Sequence, residues 1–206
     1  MLSIIVPTDI DENIYYKESL LPFQGHNDVE IILIPQKEAF TRAERFNLGF
    51  HRSKGNLILF HHPRTNLPKE AIVYLIEKSK TQLVEWEWGG FLHSFDQKHF
   101  FLNWISWYSN EVRVRRKGIV YFDHCIFFQR HLWKEDLSPS YLFEDTELSQ
   151  NFLKQSKPVL LPFQAVTSAH RFIKNGIYKQ TLLNFILKIG NQLQLPSSFL
   201  FSLYQK

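Results

Sequence analysis

Three short aliphatic runs, each cut off abruptly and separated by helix-compatible stretches, constrain this chain more than any other feature. Ser3–Val6 stops at Pro7, Glu30–Ile34 stops at Pro35, and Asn56–Phe60 gives way to His61-His62-Pro63. Each run is continuous rather than alternating, the pattern of strands buried on both faces. Asn13–Phe23 and Phe40–Ser53 read as helices, the second with Arg52 and Lys54 where cations suit the helix dipole and with Gly55 beyond. Pro68 opens a third helix over Lys69–Lys80. Strands alternating with helices predict a parallel sheet covered by helices.

After residue 83 the texture changes. Val84–Ser94, with Gly89-Gly90, and Tyr121–Gln129 read as aromatic strands of a mixed sheet, and Lys98–Asn110 as a helix with Phe101, Trp104, Ile105 and Tyr108 on one side. Thr146–Gln155 reads as a helix, Val159–Pro162 as a short strand and Asn175–Leu195 as a C-terminal helix whose Tyr178, Leu182, Phe185, Ile186 and Ile189 recur at helical spacing. The 206 residues suit one domain, and 44% hydrophobic with 16% aromatic residues argues against disorder. One cysteine, Cys125, excludes an intramolecular disulfide and reads as a buried small hydrophobe. No signal peptide is expected at Met1–Pro7, and Ile177–Ile189, broken by Lys179 and Lys188, is too short to span a bilayer. A cytoplasmic location, extending to the inner face of the membrane, follows as an expectation.

In open parallel sheets ligands bind beyond the carboxyl ends of the strands. The loops so placed are Pro7–Asn13, Pro35–Phe40 and His61–Leu67, and the third gathers two imidazoles and a guanidinium where a diphosphate can lie. The ordered series SIIVPT, EIIL, RAERFNLGFHRSKGNLILF, HHPRTNLP, Gly89-Gly90-Phe91, YFDH, FEDTEL and VTSAHRF resembles the family-2 glycosyltransferases of the GT-A fold. It is similar to a small bacterial branch labelled as arsenosugar-biosynthesis-type transferases. The resemblance runs over residues 2–196. It implies an α/β fold with a mixed, mainly parallel sheet flanked by helices, residues 1–173 forming the GT-A-like domain and 174–206 a C-terminal helix and tail packed on it. It also implies inverting transfer of a sugar from a nucleotide-diphosphate sugar to a glycan, lipid or small-molecule acceptor.

Carried over residue by residue, the resemblance implies Asp145 as the catalytic base with Glu144 beside it. It puts Pro7, Thr8, Arg42, Arg64, His170 and Arg171 on the donor side and Asp123 and His124 on the acceptor side. Three carboxylates usual in the family are absent: Ile34 runs into Pro35-Gln36-Lys37, Arg64 stands in the metal motif, and Asn56 follows Gly55. A divalent ion, Mn or Mg, would lack its usual aspartate. Arg64 can itself pair bidentately with phosphate oxygens. The competing account of Asp145 is an N-cap of the Thr146 helix, which would lower its pKa. Arg42 and Asn47 read as solvated beside packed Ala43 and Phe46.

His61, His62, His124 and His170 fall on loops at one end of the sheet, and His61 and His62 are candidate metal ligands, although no compact ligand spacing such as HExxH is present. The densest basic run, Val112–Lys117, reads as a solvated loop. Beside the C-terminal helix it would meet anionic lipid headgroups, with Phe199, Leu200, Phe201, Leu203 and Tyr204 giving apolar contact. The balance of 24 Lys and Arg against 20 Asp and Glu is too small for a nucleic-acid binder. The missing carboxylates favour an alternative in which a GT-A-like protein has lost transfer and serves as a binding or regulatory partner.

Overall fold

The computed structural model describes residues 1–8, 18–81 and 85–205. β1 (Leu2–Val6) lies between β2 (Val29–Leu33) and, beyond α1 (Arg42–Arg52), β3 (Leu57–Phe60), parallel to both. Thr41 and Glu44 start α1 with reciprocal bonds: the Glu44 backbone N–H donates to Thr41 Oγ1 at 3.1 Å and the Thr41 N–H to Glu44 Oε2 at 2.7 Å. A short β4 (Thr65–Asn66) and α2 (Lys69–Lys80) follow. Side chains alternate across a strand, so the sheet buries both faces. Leu2, Ile4, Val6, Leu57 and Leu59 pack with Ala71, Ile72, Leu75 and Ile76 of α2, whereas Ile5, Ile58 and Phe60 meet Ala43, Phe46 and Phe50 of α1.

The second half adds β5 (Trp88–Phe95), α3 (Phe100–Trp107), β6 (Ile126–Gln129), α4 (Glu144–Leu153), β7 (Val159–Thr167), α5 (His170–Asn175), α6 (Ile177–Gln192) and α7 (Ser197–Gln205). The sheet order is β2-β1-β3-β6-β5-β7-β4, with β6 antiparallel to β3 and β5, and β7 parallel to β5 but antiparallel to β4. The carboxyl ends of β3, β5 and β7 and the start of β6 therefore meet at one edge. Under α1 and α4 the core is aromatic: Phe46 stacks on Phe60 at 4.2 Å and tilts against Phe122 at 4.5 Å, while Phe128 meets Phe152 at 4.9 Å. Each such ring, fully buried, contributes about 1.5–3 kcal/mol.

Several boundaries differ from expectation. Residues 82–84 and 9–17, the latter including the first part of the expected helix Asn13–Phe23, lie outside the described residues, and Leu21–Phe23 forms one 3-10 turn. The expected strand at Tyr121 begins at Ile126, after a 3-10 turn at Phe122–His124 and Cys125 at φ 52. β7 runs to Thr167 rather than Pro162, because parallel pairing with β5 continues past a register shift at Phe91/Leu92. The basic run is not a loop. α3 continues as π-type turns over Tyr108–Arg116, with the Lys117 N–H reaching back to the Val112 carbonyl at 3.2 Å and Val114 buried.

The expected C-terminal helix, Asn175–Leu195, forms as α6, with the unexpected α5 before it and α7 after it, and the apolar stripe of α6 points away from the core: Tyr178, Leu182, Phe185, Ile186 and Ile189 are exposed. Among the described residues no helix is long and apolar enough to cross a membrane.

Gly89 lets β5 and β7 approach, since a Cβ there would collide with the Val159 backbone. Gly89→Val is expected to cost at least about 1–3 kcal/mol, because backbone must yield rather than a side chain. Urea denaturation at constant pH measures it.

Candidate active site

The strand ends converge on a cavity of about 430 Å³. Its walls come from the loop after β3, the turn before β6, the start of α4, the end of β7 and the inner face of α6. Hydrogen bonds lock the first and fourth of these together. The Ser168 N–H donates to the Arg64 carbonyl at 3.0 Å, and the Thr65 and Thr167 hydroxyls share a bond of 2.7 Å.

α4 begins at Glu144, two residues earlier than expected, after Phe143 at φ 68. Asp145 is therefore inside the first turn and is not the N-cap. Its Oδ2 instead accepts from the Phe122 N–H at 3.5 Å. The left-handed turn at Phe143 sends Glu144 inward and Asp145 to the cavity wall. Glu144, 1% exposed, accepts from Arg42 Nε at 2.6 Å, and the same guanidinium lies over the Phe122 ring at 4.9 Å. Burial and then the neighbouring Glu144 carboxylate push Asp145 up to about 7. For Arg42, burial opposes the charge, but Glu144 and Asp145 outweigh it and hold the proton above the ordinary guanidinium value.

Asp123 sits at the cavity floor. His62 accepts the Arg64 N–H at Nδ1 (3.3 Å), so its Nε2 carries the proton and faces Asp123 Oδ1 at 3.5 Å. Burial lowers His62 to about 4, Asp123 pulling the other way. Burial would raise Asp123, yet His62, His93 and Arg42 hold it below the usual carboxylate value. His124 is below the surface, with Nδ1 bonded to the Phe91 carbonyl at 2.9 Å and Nε2 to Ser109 Oγ at 2.8 Å. That pairing makes it a neutral structural imidazole, lowered to about 3 by burial.

Of the remaining expected residues, Arg64 is exposed yet borders the cavity, and Arg171 borders it while stacked 3.7 Å from the Tyr204 ring. Pro7, Thr8 and His170 do not border it; Pro7 is buried and its carbonyl accepts from Arg45 at 2.9 Å. Asn47 exchanges two bonds with the Leu137 backbone, at 2.9 and 3.0 Å, and so braces a loop. Arg42 is not merely solvated, contrary to expectation, because the carboxylate that claims it lies 102 residues away. Asn56 bridges Met1 and the Ser79 carbonyl. Cys125 is buried and raised to about 12 by that burial.

Sequence reasoning missed two cations. Arg113, from the basic run, lies 4.2 Å from the Tyr121 ring and 5.6 Å from the Tyr108 ring. Lys188 of α6 lies 5.8 Å from the same Tyr108 ring and is lowered to about 8 by burial, then by Arg113 and Lys117. With Arg42, Arg64 and Arg171 they make five cations around the cavity against the carboxylates of Asp123 and Asp145. The signal available was the i, i+4, i+8 spacing of Gln180, Asn184 and Lys188 opposite the apolar stripe; all three line the cavity. Such a wall suits a multiply charged anion. By the family resemblance Arg64 stands where the aspartate ligand of a divalent ion is expected, and among the described residues no group of three His, Cys, Asp or Glu is placed to hold a metal.

No family model and no curated protein matches the sequence. Solved structures do match in shape. A fragment of S. aureus TarS superposes with a TM-score of 0.55 at 10% identity, covering 82% of this chain and 60% of that one. A mannosyltransferase from Pyrobaculum calidifontis, in complex with GDP-Man and Mn2+, gives 0.54 at 14% identity over 80% and 56%. The fold is GT-A-like. Mannosyl-3-phosphoglycerate synthase from Rubrobacter xylanophilus gives 0.51 at 9% identity over 94% and 75%. The chain spans less than two thirds of the length of the first two.

Two outcomes are expected from the ion pair. Arg42→Ala leaves the Glu144 carboxylate buried and unpaired and costs about 3–5 kcal/mol, whereas the double change Arg42→Leu with Glu144→Leu recovers much of it; both are read by chemical denaturation. Because Asp145 holds its proton more tightly when folded, its ionisation removes stability as pH climbs from the unfolded carboxylate range through about 7. Asp145→Asn therefore raises the melting temperature more at pH 8 than at pH 5.

Proposed function

We propose that the chain is an inverting glycosyltransferase that takes a sugar from a nucleotide-diphosphate sugar. The observation that carries the reading is a carboxylate of raised proton affinity, Asp145, on one cavity wall with Arg64 and Arg171 on another. A base that titrates near the working pH combines availability with driving force. Asp145 takes the proton of an acceptor hydroxyl as that oxygen bonds to the anomeric carbon. The bond from that carbon to the donor phosphate oxygen breaks, and its electron pair leaves with the nucleoside diphosphate. Arg64 and Arg171 neutralise the departing charge, the task a fixed guanidinium performs through paired N–H donors. Arg42 does not touch the reacting atoms in this scheme; it positions Asp145 through Glu144. The acceptor is a glycan, lipid or small molecule bearing a hydroxyl group, and Asp123, with His62 behind it, faces it from the floor.

One observation favours the alternative of a binding protein without turnover: Arg64, Asn56 and Pro35-Gln36-Lys37 stand where the family resemblance leads one to expect carboxylates. Calorimetry separates the two. UDP or GDP is expected to bind without added manganese, and Arg64→Ala to abolish that binding. Asp145→Asn is expected to leave donor affinity nearly intact while lowering turnover by roughly 10²- to 10⁴-fold, the usual contribution of a general base. In the wild type, turnover should rise with pH through about 7. Wild-type rates in Asp145→Asn would remove it as the base, and nucleotide binding without sugar transfer would support the regulatory reading.

A further inference from the structure

α6 is amphipathic in the inverted sense. Gln180, Asn184 and Lys188 turn inward to the cavity, while Tyr178, Leu182, Phe185, Ile186, Ile189 and Leu193 form a stripe on the outside. Leu182 is 60% and Leu193 69% exposed, so the stripe is open along the helix. It does not end with α6. The Phe101 ring meets Tyr178 at 5.2 Å, and α3 adds exposed Phe100, Trp104 and Trp107 at i, i+4 and i+7. Monomeric soluble proteins rarely leave so continuous an apolar surface bare.

Charge decides among its occupants. Residues 148–206 hold seven Lys and Arg and no Asp or Glu, in a chain of net charge +4 overall. Lys174 and Lys179 are exposed on α5 and α6, and Arg115, Arg116 and Lys117 are exposed at the end of the helix that carries Trp104 and Trp107. An apolar stripe edged by cations, with tryptophan and tyrosine among it, is the composition of a helix lying in a lipid headgroup layer. Lysine stems can cover apolar surface while the ammonium reaches a phosphate.

We propose that the outer face of α6, with the exposed aromatic residues of α3, docks on an anionic lipid bilayer and lies within its headgroup region. The contact surface is thereby moved from the expected Phe199–Tyr204 segment, where Leu200 is buried and Phe201 stacks on Tyr141 at 4.8 Å. α6 would face lipid with one side and the cavity with the other.

The test is flotation of the full chain with phosphatidylcholine vesicles, with and without phosphatidylglycerol, beside sedimentation velocity without lipid. The wild type is expected to float with the anionic vesicles, to stay largely behind with the neutral ones, and to be released by salt. The double variant Leu182→Glu, Phe185→Glu is expected to lose binding at least about tenfold. Its melting temperature should stay unchanged, since both side chains are exposed. Lys174→Glu with Lys179→Glu should weaken binding to anionic vesicles while leaving the apolar stripe whole. Absence of wild-type flotation overturns the proposal, as does flotation indifferent to both variants. A dimer in solution that Phe185→Glu dissociates, with no vesicle binding, assigns the face to a second copy instead. Vesicle binding needs no sugar transfer, so its failure leaves the proposed chemistry standing, and the reverse holds too.

Discussion

A guanidinium paired with one buried carboxylate, Arg42 on Glu144 at 2.6 Å, determines where the next carboxylate in the chain can go. It joins the first turn of α1 to the first turn of α4 at the cavity, adding a polar tie to the β3–β6 pairing and the aromatic core that already connect the two halves of the sheet. Removing the Glu144 carboxylate from water is costly, and Arg42, itself capped by the Phe122 ring, offsets that cost at Oε1 while Oε2 is left buried without a hydrogen bond. With Glu144 committed, Asp145 stands beside a negative charge in a half-buried position. Both effects disfavour its own ionisation. The raised proton affinity of Asp145 thus follows from its burial first and from its neighbour second.

The same logic explains why an arginine is tolerated at position 64. The backbone around it is tied to β7 through Ser168 and the Thr65–Thr167 pair, so the side chain starts from a fixed place and reaches the cavity mouth without burial. A carboxylate there would gather with Asp123 and Asp145 and call for a cation to relieve the repulsion. Arginine instead joins Arg42, Arg113, Arg171 and Lys188 and calls for an anion. This chain shares its scaffold with a solved mannosyltransferase in complex with GDP-Man and Mn2+, while five cations line the cavity here.

What the sequence made legible follows from the range of the interactions. β1, β2 and β3 are short, continuous and locally punctuated, and their identity needs no partner from elsewhere in the chain; the Thr41–Glu44 box likewise lies within four residues. FEDTEL singles out Asp145 in the sequence but does not disclose its environment, because the N-cap account assumes a helix start at Thr146. Phe143 takes a left-handed conformation that a bulky residue rarely adopts, and that moves the start back by two residues. Arg113 was hidden for a similar reason. In π-type turns the repeat lengthens, so a basic run that scatters around an α-helix brings one member to the cavity while Val114 goes to the core. Periodicity revealed two faces on α6 but not which one turned inward, since the moment of a helix carries no sign relative to a core it does not itself contain.

The charges lining the cavity are linked to whatever it binds. Lys188 is held down to about 8, below an ordinary lysine, by burial and then by the like charges of Arg113 and Lys117. An anion placed between Lys188 and Arg113 would reverse the sign of that repulsion and raise the lysine again, so anion binding and proton uptake are coupled around pH 8. Asp145 responds to the anion in the same sense. An anion nearby raises its proton affinity further, whereas an acceptor hydroxyl donating to it favours the ionised form. In the proposed reaction, departure of the nucleoside diphosphate relaxes both groups at once, Lys188 towards losing its proton and Asp145 towards ionisation. The wall proposed to bind that product would also hold Asp145 protonated until the product has gone.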